Sequence, residues 1–216
     1  NSGTVLKLED RFLDFDGSND VVVVSDDAAL DFATSDQFTL EAWIKPATGS
    51  GEKCIMDKYP GGASLNYRFS LNASNRLLFF TGGATTSSAA ISADVWTHVA
   101  VTYDAGSVNL YINGSPDGSG TNNVGAVNAA DLTIGNQGDN ARDFNGSIEE
   151  VRIWSEALSS STISSLYNKT VSVPANLTAC LIAYYKMNEI SGTSLPDETG
   201  NGHNGTLTNM AGTEWM

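Results

Sequence analysis

The chain has 216 residues, of which 41% are hydrophobic and 17% charged, and its formal net charge is −14. Apolar residues recur along its whole length, which excludes an intrinsically disordered chain. The acidic excess and the lack of any Lys/Arg cluster exclude nucleic acid as a partner, because phosphate binding requires a basic footprint. No apolar run reaches about eighteen residues, so no segment is predicted to insert into a membrane.

The N-terminal part of the chain predicts short strands joined by turns. Residues 12–15 alternate, and Val21–Val24 form a β-branched run that suits a strand. Residues 16–20 between them contain glycine and asparagine, which tolerate the positive φ angles of tight turns. Residues 38–45 alternate with a period of two, and Pro46 should end that strand because proline cannot donate to a β-ladder.

The period of two over residues 38–45 assigns the side chains to two faces of a strand. Phe38 and Ile44 belong to an apolar face, whereas Glu41 and Trp43 belong to the opposite face. Turn signals rich in Gly, Asn and Pro separate the apolar segments that follow. Further strands are predicted at residues 55–56, 67–71, 77–81, 96–103, 108–112 and 132–134.

The C-terminal part of the chain predicts a strand at residues 148–154, a short helix near residues 159–167 and a last strand at residues 181–187. This spacing of short strands with one helix indicates an all-β fold, a two-sheet antiparallel sandwich. Both faces of the last strand are largely apolar, so it should lie between neighbours. We expect it to pair beside the first strand and to bring the loop at residues 197–205 to the turn at residues 16–20.

Three segments, at residues 13–20, 38–46 and 144–154, occur in an order and spacing that resemble the laminin-G-like and pentraxin-like branch of the concanavalin A-like lectin/glucanase superfamily. The resemblance implies a jelly-roll sandwich formed by residues 1–216 as a single domain, with residues 181–216 completing it. In bacterial members of the branch, a segment like this last one precedes the first strand. Here it is either the same edge strand supplied from the other terminus or the start of a following repeat.

The resemblance also implies a function. Such domains are mostly non-catalytic modules that bind a polysaccharide or a glycoprotein, usually with calcium. They are parts of larger exported proteins, so the other domains of the parent chain are expected as further partners. The Asn-Gly-Thr-Leu motif of the tail resembles segments of bacterial proteins, and this resemblance implies a secreted or cell-surface location. A structural spacer without a ligand of its own is the alternative, and a polysaccharide-cleaving enzyme is the third hypothesis.

The residues themselves disfavour catalysis. Related laminarinases place alternating carboxylates on one face of a strand, where they flank the scissile bond. Glu149 and Glu150 are adjacent and should point to opposite faces, so they cannot act as such a pair. His98 fits a packed strand residue better than a catalytic base. Cys54 and Cys180 have no metal-binding spacing, and they are either two buried thiols or one disulfide.

Two loops carry oxygen donors suited to calcium. The excess of acidic residues is also explained more simply by a need for solubility. By resemblance, the loop at residues 135–143 corresponds to a pentraxin calcium loop, and Asp139 to an acidic ligand in it. The partner loop at residues 62–66 lacks the pentraxin Asp-Asn pair, which weakens this match. The second predicted site comprises Asp197, Asn201, Asn188 and His203, with Asp16 or Asp20 from a neighbouring turn. In both loops the alternative is a turn whose side chains bond their own backbone.

Carbohydrate binding usually requires exposed aromatic rings beside hydrogen-bonding side chains. Most aromatic residues of this chain fall on predicted strands, where burial is expected. Tyr59 is the exception because it lies beside Pro60 in a loop, and the family topology puts Arg142 in the facing loop. The predicted ligand-binding residues are Tyr59, Asn66, Asn136, Asp139, Arg142 and Asp143.

Overall fold

The computed structural model describes residues 11–61, 65–139, 141–168, 173, 175–189, 191–210 and 214–216. They form two antiparallel β-sheets packed face to face, one of seven strands and one of eight. The prediction of an all-β jelly-roll sandwich with one short helix is confirmed. Within the described part of the chain, no helix has the length and hydrophobicity that a membrane crossing requires.

The strands divide between the sheets as follows. The first sheet contains β1 (Leu13–Asp16), β3 (Gln37–Pro46), β8 (Thr97–Asp104), β9 (Ser107–Ile112), β10 (Ser115–Thr121), β12 (Asn145–Trp154) and β13 (Leu181–Tyr185), in the order β1-β12-β3-β8-β9-β10 with β13 also paired to β12. The second sheet contains β2 (Val21–Val24), β4 (Lys53–Lys58), β5 (Tyr67–Leu71), β6 (Arg76–Phe80), β7 (Ala84–Ala90), β11 (Leu132–Ile134), β14 (Ser194–Leu195) and β15 (Gly205–Thr208), in the order β14-β15-β2-β11-β4-β5-β6-β7.

The two faces predicted for residues 38–45 are observed in β3, which ends at Pro46 as expected. Phe38 is fully buried in the core between the sheets, where its ring stacks on those of Phe32 and Tyr103 with centroid distances of 4.1 and 4.8 Å. Burial of one large apolar side chain stabilises a fold by about 1.5–3 kcal/mol. Stacked rings from β3 and β8 therefore make a strong contribution to the core.

A second, smaller core lies on the outer face of the first sheet, under the predicted helix α1 (Ser160–Tyr167). The side chain of Ser159 caps this helix by accepting a 3.2 Å hydrogen bond from a backbone N–H of its first turn. Ile163 and Leu166 are the buried residues of the helix, and they pack in one cluster with Trp154. The helix covers an apolar part of the sheet that would otherwise face water.

The C-terminal strands enter both sheets of the sandwich. β13 pairs with the C-terminal half of β12, where Tyr185 is opposite Val151. β1 pairs with the N-terminal half, where Leu13 is opposite Ile148. These two strands therefore lie end to end along one edge of β12. The expectation that they lie side by side is wrong, because the ten residues of β12 are long enough to accept both. β15 joins the second sheet beside β2.

Two further expectations concern cysteine and glutamate residues. Cys54 and Cys180 are free, buried thiols, one in β4 and the other in the small core under α1. Of the two alternatives left open by the sequence, two buried thiols are therefore observed and a disulfide is not. Glu149 and Glu150 lie at a β-bulge of β12, and Glu150 adopts a φ of +55° there.

Candidate functional site

A groove with a volume of about 580 Å³ lies on the outer face of the second sheet. β5 and β6 form its floor, where Arg68 and Phe80 are cross-strand partners. Both point away from the core that buries their neighbours Phe69 and Phe79. This volume lies within the range of about 300–1,000 Å³ that is typical of ligand sites. The rings, charges and amide that line the groove belong to Tyr59, Arg68, Phe80, Gln137, Asp139 and Arg142.

Arg68 is the central residue of the groove floor. Its guanidinium carbon lies 5.8 Å from the centroid of the Tyr59 ring and 5.9 Å from that of the Phe80 ring. At these distances the faces of aromatic rings attract a cation. Its Nε donates to Oδ1 of Asp57 at 3.1 Å, and its Nη1 lies 3.7 Å from Oε1 of Glu52. Two rings and two carboxylates therefore hold Arg68 in one orientation.

Asp57 faces Arg68 from β4, and its side chain is fully buried. Its Oδ2 also accepts a 3.4 Å hydrogen bond from the backbone N–H of Gly138. Burial raises the pKa of Asp57 to about 6, although the charge of Arg68 opposes the rise. Asp57 is therefore mostly ionised at neutral pH and becomes protonated in mild acid.

Arg142 forms one wall of the groove from the loop between β11 and β12. Its Nε donates to Oε2 of Glu52 at 2.7 Å, and its Nη1 donates to Oε1 of Gln137. Glu52 also accepts a 2.9 Å hydrogen bond from the hydroxyl of Ser70. Asp139 is exposed on the same loop. The wall thus presents a positioned guanidinium and a solvated carboxylate to the groove.

Asn136 organises this loop from inside the protein, where it is fully buried. Its Nδ2 donates to Oδ1 of Asp143 at 2.6 Å, and its Oδ1 accepts a 2.8 Å hydrogen bond from the following backbone N–H. Asp143 accepts a further hydrogen bond, at 2.8 Å, from the N–H of Asn19. Gly138 allows the close approach to β4, because a Cβ there would lie 2.3 Å from the backbone oxygen of Tyr59.

Asn66 organises the opposite wall and is also fully buried. Its Oδ1 accepts a hydrogen bond from the N–H of Phe32 at 3.2 Å. Its Nδ2 donates to the carbonyl oxygens of Phe32 and Gly125, both at 2.9 Å. The side chain thereby fixes the backbone of the groove-lining residue Gly125 against the start of β5.

The structure brings Tyr59, Asp139 and Arg142 together in the groove, as the sequence predicted for ligand-binding residues. The other predicted residues, Asn66, Asn136 and Asp143, do not line it. Their amide and carboxylate groups hold the loops described above. Residues 62–64 of the loop beside Tyr59 lie outside the described residues.

Arg68 and Phe80 are groove residues that the sequence reasoning missed. Both lie on strands that were recognised, at residues 67–71 and 77–81. The signal was available, because Arg68 alternates with the apolar Tyr67 and Phe69 and must therefore leave the core. Its position opposite Phe80 required the strand register, which the sequence does not contain.

Asp197 is the centre of a hydrogen-bond network in the tail loop. Its Oδ1 accepts from the backbone N–H groups of Tyr184 and Thr199, both at 3.1 Å, and its Oδ2 accepts from the N–H of His203 at 3.2 Å. The Thr199 hydroxyl lies 2.8 Å from both oxygens. Asn201 donates from Nδ2 to a backbone carbonyl of β13 at 2.8 Å. These hydrogen bonds form the Asx-turn network that was the alternative at this loop.

The predicted approach of the tail loop to Asp16 and Asp20 is not observed. β15 runs antiparallel to β2 with Gly205 opposite Val24, so the loop lies at the far end of β2 from the acidic turn. Asp20 instead accepts a 2.9 Å hydrogen bond from the N–H of Asp16, and Asn188 is half-buried just beyond β13. Among the residues that the structure describes, no three His, Cys, Asp or Glu side chains are grouped as a metal site requires. Calcium binding stays a prediction.

A second charged group is buried on the outer face of the first sheet. Oε2 of Glu41 lies 3.0 Å from Nε2 of His98, and Oε1 accepts from Nη1 of Arg152 at 3.0 Å. Burial acts to raise the pKa of Glu41, but the hydrogen bond from His98 and the charge of Arg152 outweigh it and hold this pKa below its usual value. His98 is 1% exposed, which confirms it as a packed strand residue. The three side chains thus satisfy one another's charges within the protein.

Comparisons with known proteins agree with this fold. A family model described as the concanavalin A-like lectin/glucanases superfamily matches residues 16–164. The adhesion G-protein coupled receptor V1 of zebrafish (Danio rerio) is 28% identical over 147 residues, covering 61% of this chain and 2% of the receptor. The chain thus corresponds to a small part of that relative.

Solved structures share the whole sandwich or most of it. A candidate carbohydrate-binding protein from Bacteroides ovatus superposes with a TM-score of 0.73 at 23% identity, covering 94% of this chain and 59% of its own. A heptameric SAP-like pentraxin from Limulus polyphemus gives 0.58 at 19% identity, covering 75% and 83%. Domain 4 of AbnA, an extracellular arabinanase from Geobacillus stearothermophilus solved with arabinotriose, gives 0.57 at 24% identity, covering 72% and 76%. At these identities the likeness establishes the fold alone.

Proposed function

Because the chain belongs to the concanavalin A-like lectin/glucanases superfamily, we propose that it is a non-catalytic module that binds carbohydrate, free or on a glycoprotein, in the groove of the second sheet. The observation that carries this proposal is the position of Arg68 between the rings of Tyr59 and Phe80, with Arg142 and Asp139 on the wall. The structural neighbours support the same class of ligand, since one of them is a candidate carbohydrate-binding protein.

The groove offers what a sugar ring requires. The C–H faces of a sugar pack on aromatic rings, and its hydroxyls need donors and acceptors at fixed positions. Tyr59 and Phe80 supply the rings, Arg142 supplies N–H donors, and Asp139 supplies carboxylate acceptors. Because Arg142 is already held by Glu52 and Gln137, little conformational entropy of this side chain would be lost on binding.

The distribution of carboxylates supports a role in binding rather than cleavage. Glycosidases generally use two carboxyl groups on either side of the scissile bond. Among the described residues that line the groove, Asp139 is the one carboxylate. Asp57 and Glu52 lie behind the lining and are each joined to an arginine. We therefore propose a module that holds a glycan for a longer protein, in which exported or surface placement would give it access to polysaccharide.

The test is a glycan array followed by titration calorimetry on the purified chain. Arg142→Gln should weaken binding of a glycan hit by about tenfold, since one hydrogen bond to a charged group is worth about 1.5 kcal/mol or more. Arg11→Gln is the matched control, because Arg11 is exposed and does not line the groove. A blank array, or equal effects of the two variants, would refute the proposal. Release of reducing sugar from a bound polysaccharide would refute its non-catalytic part.

A further inference from the structure

The charges around the groove nearly cancel. Arg68 and Arg142 contribute +2, while Asp57, Glu52 and Asp139 contribute −3, which gives −1 for the group. The formal net charge of the whole chain is −14. A ligand that brought carboxylate or sulfate groups would meet repulsion from both sources.

The arginines are also committed to partners within the protein. Arginine recognises an anion most strongly when two parallel N–H groups bond it together. Arg142 uses Nε on Glu52 and Nη1 on Gln137, and Arg68 uses Nε on Asp57. In both arginines the Nε donor, which forms part of the side-on pair, is therefore occupied, and a single remaining N–H is enough to bond a neutral hydroxyl.

We infer that the groove selects neutral glycan chains and discriminates against uronic acid and sulfated ones. This inference rests on the proposed function, because it names the class of glycan for the same groove. Glu52 is the specificity-determining residue: it bonds Nε of Arg142 at 2.7 Å and lies 3.7 Å from Nη1 of Arg68, so its negative charge opposes an anion at either guanidinium. The ligand contacts themselves come from Tyr59, Phe80, Arg142 and Asp139.

The experiment uses pairs of polysaccharides that share a backbone and differ in charge, such as dextran with dextran sulfate and methyl-esterified with free polygalacturonan. The neutral member of a binding pair should bind at least about tenfold more tightly, and its affinity should be nearly constant from about 50 to about 500 mM NaCl. Tighter, salt-sensitive binding of the acidic member would overturn the inference and leave the proposed function intact. If neither member of any pair binds, the proposed function fails and the inference fails with it.

Glu52→Gln provides a gain-of-function arm. The amide keeps the size of the side chain but removes the negative charge beside both arginines, which makes the group charge neutral. Binding of the acidic member should then increase by about tenfold, and should weaken with salt. Glu156→Gln is the control, since Glu156 is exposed beyond β12 in the other sheet and also removes one negative charge. An equal gain in both variants would assign the effect to net charge and refute the role of Glu52.

Discussion

Arg68 and Asp57 form an ion pair of 3.1 Å in which the carboxylate has no exposure to solvent. Removing a carboxylate from water favours its protonated form, and in this pair the cation compensates for that effect only in part. The pKa of Asp57 is consequently about 6. The ion pair that positions Arg68 in the groove therefore titrates at a pH that ordinary buffers cover.

The first prediction concerns stability against pH. A carboxyl with a folded-state pKa of about 6, against its usual 3.8, binds its proton more tightly in the folded chain. It therefore stabilises the fold fully below about pH 4, and this contribution is lost as the pH rises through about 6. The loss amounts to about 3 kcal/mol, because each pKa unit corresponds to about 1.4 kcal/mol.

Asp57→Asn should remove this dependence. Urea unfolding at several pH values between about 4 and 7 would give the free energy of unfolding of both proteins. The difference between wild type and variant should change by about 3 kcal/mol across the range, on top of any constant offset from the loss of the ion pair. A difference that does not vary with pH would contradict the assigned pKa.

The second prediction concerns the buried group around Glu41. Glu41→Gln removes the buried charge that partners Arg152 and His98 on the outer face of the first sheet. Breaking a buried pair by neutralising one partner typically lowers the free energy of unfolding by about 3–5 kcal/mol. Chemical denaturation measures the loss, and Glu156→Gln at an exposed site should change stability by less than about 0.5 kcal/mol. Similar small values for both would mean that the pair contributes little.

The third prediction separates hydrogen bonding from calcium in the tail loop. Asp197→Ala removes a buried carboxylate that accepts backbone N–H groups from β13 and from the loop itself. We expect a loss of about 3 kcal/mol, because hydrogen bonds to charged groups are worth about 1.5–3 kcal/mol each. Equal losses in calcium and in excess chelator would assign the effect to hydrogen bonding alone. If calcium instead raises the Tm of the wild type by several degrees and not that of the variant, the loop binds the ion.

The fourth prediction is that truncation after Thr178 prevents folding. The missing segment contains β13, β14 and β15, whose residues Tyr185, Leu195 and Leu207 are buried in the main core. Exposure of that core should give insoluble protein or a molten state that binds hydrophobic dyes and lacks a near-ultraviolet circular dichroism signal. Cooperative unfolding with an unchanged midpoint would show that the sandwich is complete without these strands.

Most of the architecture follows from local patterns in the sequence. The apolar periodicity of residues 38–45 predicted β3 and its buried face, and a short helix was predicted near residues 159–167, where α1 lies. β7 and β10 were missed because their Ala, Ser, Thr and Gly residues carry no apolar alternation, and both are edge strands with one partner in the sheet. Their strand geometry depends on neighbours rather than on composition.

The candidate site was predicted less completely than the fold. Tyr59, Asp139 and Arg142 lie in loops, where polar and aromatic side chains suggest function directly. Arg68 and Asp57 lie on strands, and their pairing depends on the register of β4 with β5. The same limit explains why the sequence wrongly placed the tail loop beside the Asp16 turn. The direction and register of β15 on β2 decide which end of β2 the loop approaches.

The partners of β1 and β2 lie far along the chain, and this determines when these two strands can pair during folding. Leu13 forms a bridge with Trp215, and Val24 lies between Leu132 of β11 and Gly205 of β15. During synthesis these N-terminal strands stay without partners until most of the chain has been made. Closing such long loops before any contact is gained slows folding and prolongs the exposure of apolar segments. A sandwich with this connectivity can complete its sheets only when its last strands are available to pair.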